Sequence, residues 1–266
     1  MTAFLHQMPG DLATRAWRVV VVGAGGTGSA LLPNLARLHH AMVELGHPGG
    51  IACTVFDDDT VSESNVGRQG FYPNDVGLHK APLLVNRLNN LMGTRWEAQV
   101  RRIGSRDRLA CDLVIGCVDT RAARKEILSS MEGSYGACYY LDCGNETDRG
   151  QVILGQVGKR MPQRLPHVGD LFPELMDPKG DATDTAPSCS MEEALRKQSL
   201  VINQAIAVQA YNLLWTLFRT GSLSYSGVFV NLSAGRVSPL NVDPDVWARF
   251  GYDPKAKRKR KLASAA

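Results

Sequence analysis

The clearest pattern in the chain is an uncharged run, Val19 to Val22, closing the segment WRVVVV. Four consecutive β-branched residues predict a strand buried on both faces, as in a parallel sheet covered by helices. Glycines follow at 23, 25, 26 and 28, and from Ser29 onward Leu31, Leu32, Leu35 and Leu38 recur at helical spacing. Gly46 to Gly50 breaks that helix, and Ile51 to Phe56 predicts a second strand. A further helix is predicted over Asp75 to Met92, with Val76, Leu83, Leu84, Leu88 and Leu91 on its apolar side. Strand-like runs recur from Val114, over Tyr139 to Cys143, and over Gln151 to Val157 beyond a Gly144-Asn145 turn. A long helix opens near PSCSMEEAL and reaches about Arg219, and two more strands are expected at Tyr225 to Leu232 and Arg236 to Val242. Strands alternating with helices in this way predict an α/β fold.

Composition narrows the class without changing it. The 266 residues are 44% hydrophobic and 21% charged, which suits one soluble globular domain. The formal charge of +4 conceals an asymmetry: Lys255, Lys257, Arg258, Lys259, Arg260 and Lys261 carry six positive charges, leaving −2 on the rest. Such a tail either holds an anionic partner, nucleic acid included, or is a solvated mobile end. Six cysteines occur without a C-x-x-C pair, so no structural zinc is expected. Free thiols in apolar runs suit a reducing compartment. No stretch approaches the roughly 20 apolar residues that cross a bilayer. A cytoplasmic protein is expected.

The chemistry concentrates between the first two predicted strands and just beyond them. Gly23, Gly25, Gly26 and Gly28 let backbone turn sharply and approach a phosphate at a helix start, although a plain tight turn has the same look. Asp57 ends the second strand, where nucleotide-binding βαβ units hold a ribose hydroxyl, with Asp58 and Asp59 beside it. Asn65, Arg68 and Gln69 follow within DDDTVSESNVGRQGF, and Lys80 stands early in the next helix. An arginine fork this close to a glycine loop suits a polyphosphate. A nicotinamide-dependent oxidoreductase on the same fold would leave Arg68, Lys80 and Asp119 without a joint purpose.

Together these residues resemble the ThiF/MoeB/HesA superfamily, relatives of ubiquitin-activating enzymes. The resemblance rests on GAGGTGS, on Asp57, Asp59, Val61, Ser64, Asn65, Arg68 and Gln69, on Gly77, Lys80 and Ala81, and on Asp119 and Arg124 in VIGCVDTRAAR. It implies a Rossmann-like doubly wound, mostly parallel sheet with C-terminal antiparallel strands and a long crossover loop. The domain plan is then an N-terminal arm at 1–16, an ATP-binding adenylation domain at 17–250 with its crossover loop at about 158–188, and a basic flexible tail at 251–266. It implies ATP as cofactor, with Asp57 on the ribose, Gly25 and Gly26 close to the nucleotide, Asn65, Arg68 and Lys80 on the phosphates, and Asp119 holding Mg2+. The implied substrate is the C-terminal carboxylate of a ubiquitin-like β-grasp protein. Cys189 matches the position from which thioester-forming relatives take over the acyl group. A homodimer is also implied.

Two departures qualify the match. The family's N-terminal R-Y-x-R-Q element has no counterpart in residues 1–16, and Arg15 and, just beyond that stretch, Arg18 are only weak substitutes. The zinc-free version is similar to the ThiF-related proteins of PRTRC cassettes, which implies conjugating-enzyme-like and JAB-peptidase-like partners. A tRNA-modifying branch of the superfamily and a non-catalytic nucleotide-binding module stay open beside the adenylation reading.

Overall fold

The computed structural model describes residues 4–132, 138–158, 164–183 and 198–253. A two-residue strand, β1 (His6–Gln7), precedes β2 (Trp17–Val22), α1 (Gly26–Glu44) and β3 (Ile51–Phe56). Next come α2 (Lys80–Met92), β4 (Glu97–Gln99), β5 (Leu113–Gly116) and α3 (Arg121–Met131). β6 (Cys138–Asn145) and β7 (Arg149–Val157) are antiparallel neighbours. After the short α4 (Val168–Leu171) come α5 (Ile202–Thr220), β8 (Ser222–Leu223), β9 (Tyr225–Asn231) and β10 (Arg236–Asn241).

Among the described residues the main sheet has eight strands in the order β10-β9-β7-β6-β5-β2-β3-β4. β2 pairs in parallel with both β3 and β5, β3 with β4, and β5 with β6, whereas β7, β9 and β10 continue the sheet antiparallel. The valines sit at its centre, Val19 and Val21 being 2% and 0% exposed, as a doubly covered strand requires. The chain leaves β2 for β3 on one side and later returns to β5 on the other. That reversal of strand order opens a crevice beyond the carboxyl ends of β2 and β5, where open α/β sheets bind ligands.

Several expected elements shift in detail. α1 begins at Gly26, three residues before Ser29, and the Ser29 N–H already bonds to the Gly25 carbonyl at 2.9 Å. Its Leu31, Leu32, Leu35 and Leu38 are buried, and the helix packs along α5. α2 begins at Lys80 rather than Asp75, because Pro73–Asp75 forms a separate 3-10 turn and Gly77 takes a φ of +89° that no helix contains. Val76 thus lies outside the helix and is exposed, Leu91 within it is exposed too, and Ala81, Leu84, Val85 and Leu88 form the buried stripe. Gly144 and Asn145 lie within β6 instead of in a turn, since each still pairs with β7.

The stretch expected as a crossover loop carries α4 and two 3-10 turns, Pro173–Met176 and Pro178–Thr183, packed against α3. The N-terminal arm is docked: β1 pairs with β8, and the Trp17 indole donates to the Leu12 carbonyl at 2.7 Å. Cys189, the start of the helix expected to follow it, and the basic run Lys255 to Lys261 lie outside the described residues. Among the described residues no helix is long and apolar enough to cross a membrane.

Candidate active site

A cavity of about 360 Å3 occupies the crevice beyond β2 and β5. Its floor is the glycine loop. Gly23 has a φ of +96°, and a Cβ there would stand 2.4 Å from the Cys117 carbonyl oxygen, so the loop turns directly against the end of β5. Gly25 and Gly26 line the cavity, whereas Gly28 lies behind it, where a Cβ would meet the Gly23 oxygen at 2.0 Å. Gly28 thus serves helix-to-strand packing, one of the roles a glycine fingerprint has.

Asp57 stands at the tip of β3. Its two carboxylate oxygens accept the Ala24 N–H at 2.6 Å and the Asp59 N–H at 2.9 Å, which ties the glycine loop to β3. Burial pushes its carboxyl above the ordinary value, against the pull of those two N–H groups and Lys80. Carboxylate oxygens have further lone pairs, so the group can also accept a ribose hydroxyl. Asp59 is exposed and pairs with Lys80 Nζ at 3.0 Å. Lys80 is the first residue of α2 and its side chain is 8% exposed, with its head at the cavity wall.

Arg68 is held differently. Its Nη1 donates to the neutral amide oxygen of Gln198 at 2.9 Å, and among the described residues it pairs with no carboxylate. Its buried Nε and the buried Gln69 Oε1 have no hydrogen-bond partner among the described residues, and both residues line the cavity. Burial lowers the Arg68 pKa, the signature of a cation short of an anion. The segment reaches this place because Ser29 Oγ accepts the Gly70 N–H at 2.9 Å.

Asn65 is buried but stands apart from the cavity lining, its amide oxygen accepting the Ser62 N–H at 3.0 Å to close the turn before Arg68. Asp119 lies on the cavity wall beyond β5, exposed, beside Thr120, whose hydroxyl caps α3. Arg124 turns away to a buried pair with Asp142 at 3.0 Å. The described residues contain no group of three His, Cys, Asp or Glu placed to hold a metal. A lone carboxylate still fits magnesium, which keeps several waters and uses one or two carboxylates plus phosphate oxygens.

The cavity also gathers residues that spacing did not single out. Thr27, Gln198 and Asn203 line it together with Asn145, and Arg101 and Arg102 close the end beside Phe56. Arg101 lies 4.9 Å over the Phe56 ring, and Arg102 pairs with Asp58. The one legible sign was Asn203, a polar residue on the otherwise apolar buried stripe of α5.

Arg15 and Arg18 do not reach the cavity. Both bond the Asp112 carboxylate of their own chain, at 2.6 Å and 2.9 Å, and despite its burial these arginines hold its carboxyl well below the ordinary range. In the segment expected to cross over, Asp181 accepts the Arg121 and Ala122 N–H groups at the start of α3. It therefore anchors that segment beside Asp119 and Thr120.

A profile of the ThiF family matches residues 4–243. The adenylyltransferase and sulfurtransferase UBA4 of Yarrowia lipolytica is 34% identical over 122 residues, 43% of this chain and 28% of its own. The chain thus spans less than a third of that curated relative. Among solved structures, E. coli MccB with ATP superposes with a TM-score of 0.53 at 15% identity, over 85% of this chain and 64% of that one. PaaA superposes at 0.56 with 14% identity, over 85% and 73%. Both are likenesses of fold.

Proposed function

The chain belongs to the ThiF family, and from that premise we propose that it adenylates the C-terminal carboxylate of a small ubiquitin-like protein, using ATP and magnesium. The observation that carries the proposal is Arg68. It is a half-buried guanidinium without an acidic partner among the described residues, set on the same cavity as Lys80, Asp57 and the glycine loop. A cation held this way favours an anion that arrives with the ligand.

In the proposed reaction the carboxylate oxygen attacks the α-phosphorus while the bond to pyrophosphate breaks, which yields the acyl-adenylate. Positioning and charge neutralisation supply most of the catalysis in such transfers. Asp57 takes the ribose, Gly25 and Gly26 bring backbone to the phosphates, and Arg68 and Lys80 neutralise charge as pyrophosphate departs. Asp119 would hold Mg2+, which would supply further charge neutralisation at the phosphates. The Cys189 thiolate then attacks the acyl carbon and AMP leaves, giving a thioester. The relatives named adenylyltransferase and crystallised with ATP are consistent with this assignment.

Family grounds extend the proposal to a homodimer and to conjugating-enzyme-like and JAB-peptidase-like partners. Within the single chain Arg15 and Arg18 both bond Asp112.

The test is ATP–pyrophosphate exchange. Arg68→Ala or Lys80→Ala lowers it by on the order of 10² to 10³, the usual effect of removing one such electrostatic contact, with the unfolding midpoint unchanged. Full exchange in both variants contradicts the assignment. Cys189→Ser retains exchange and loses any thiol-reducible conjugate with the substrate protein; a conjugate that persists places the thioester elsewhere.

A further inference from the structure

Behind Arg68 runs a chain of half-buried amides ending on the buried Asn203, its orientation dictated from one end. A guanidinium has donors and no acceptor, so the Gln198 amide must turn its oxygen to Arg68 Nη1, 2.9 Å away. Gln198 Nε2 then faces the other way and donates to Asn145 Oδ1 at 2.9 Å and to the Glu146 carbonyl at 3.3 Å. With its oxygen used as acceptor, Asn145 donates through Nδ2 to Thr27 Oγ1 at 3.0 Å and to Asn203 Oδ1 at 2.9 Å. Asn203 Nδ2 closes the ring at 3.4 Å from Gln198 Oε1. The ring stands directly under the glycine loop, since a Cβ on Gly26 would lie 2.6 Å from the Asn203 amide.

We propose that Gln198 is a positioning residue for the nucleotide's phosphates, setting the Arg68 guanidinium against the glycine loop through Asn145, Thr27 and Asn203. The reaction it would serve rests on the adenylation reading; the hydrogen bonds do not. A neutral acceptor is what this position requires. A carboxylate here would form an ion pair with Arg68 and neutralise it before any phosphate arrived. A hydrocarbon would leave Arg68 Nη1 and Asn145 Oδ1 unpartnered in a half-buried site. The amide fixes one edge of the guanidinium and leaves its charge and its buried Nε for the ligand. Gln198 also leads into α5, so the same contact ties the approach to that helix, the end of β6 and the first turn of α1 to one phosphate-binding side chain.

The experiment is a double-mutant cycle on the full chain, reading affinity for ATP and for adenosine by calorimetry. Arg68 serves phosphates alone, so Gln198→Ala weakens ATP binding about tenfold, as loss of one hydrogen bond to a charged group does. Adenosine affinity stays within about twofold, and Gln198→Ala adds nothing further to Arg68→Ala. Gln198→Glu, of equal size, weakens ATP more than Gln198→Ala does, and it decides the matter if the alanine variant does not fold. Equal losses for ATP and adenosine, losses that add to those of Arg68→Ala, or wild-type ATP affinity in Gln198→Glu would each overturn the proposal. ATP binding without pyrophosphate exchange in the wild type removes the adenylation reading alone and leaves the cycle to judge Gln198.

Discussion

Asp57 is a carboxylate with two duties, and its burial makes them separable. It clamps the glycine loop through Ala24 and the next turn through Asp59, and its free lone pairs face the cavity. Because burial raises its carboxyl, protonation begins above the ordinary aspartate value of about 3.9. As pH falls through the raised value the folded chain takes up the proton first, so this group by itself makes the fold more stable. The ribose meanwhile loses an ionised acceptor. Adenosine affinity, measured across that range, should therefore fall, and Asp57→Asn should flatten the dependence; an affinity independent of pH in the wild type would place the ribose elsewhere. Asp57, Arg68 and Lys80 were legible in the sequence because a glycine loop, a strand-end acid and nearby cations make a joint pattern. Asn65 belongs to the same pattern yet closes a turn behind the site. Gln198 was illegible, since a single amide in a polar stretch has neither period nor spacing to announce it.

At the scale of elements, the hydrophobic runs located the strands well because β5 and the Val19 to Val22 stretch of β2 are buried on both faces and read as uninterrupted apolar segments. Boundaries were less visible. The start of α2 depends on the φ of Gly77 and on a capping turn, neither of which alters hydrophobic periodicity. The docked arm was also hidden, because β1 is two residues long and pairs with a strand more than two hundred positions away. His6 on β1 is buried and shares a hydrogen bond of 2.6 Å with the Tyr139 hydroxyl. Burial lowers its pKa from 6.5 to about 4. A lowered histidine is neutral when docked, so as pH falls from 6.5 toward 4 the released arm takes up a proton that the docked arm refuses, and docking weakens. Hydrogen-exchange protection of β1 and β8 should drop between pH 7.5 and about 5, and His6→Leu should remove that drop. Protection unchanged over this interval in the wild type would contradict the assignment.

For the whole molecule, strand order decides where chemistry can happen. Parallel β2 and β5 leave their carboxyl ends side by side, and everything gathered there comes from separate parts of the chain: the glycine loop, Asp57, Arg68, Lys80, Asp119 and, from beyond the antiparallel hairpin, Gln198. The matched family profile covers the chain from residue 4 to 243, so these parts belong to one family domain. The central claim is that this crevice activates a protein carboxylate with ATP. Its most direct test is ATP–pyrophosphate exchange by the full chain with magnesium, with and without a ubiquitin-like protein ending in a free C-terminal carboxylate. Exchange that appears with the ubiquitin-like protein, and disappears when its terminal carboxylate is amidated or Arg68 is replaced by alanine, is the expected result. ATP that binds in the crevice without exchange in the presence of any such protein would contradict the account.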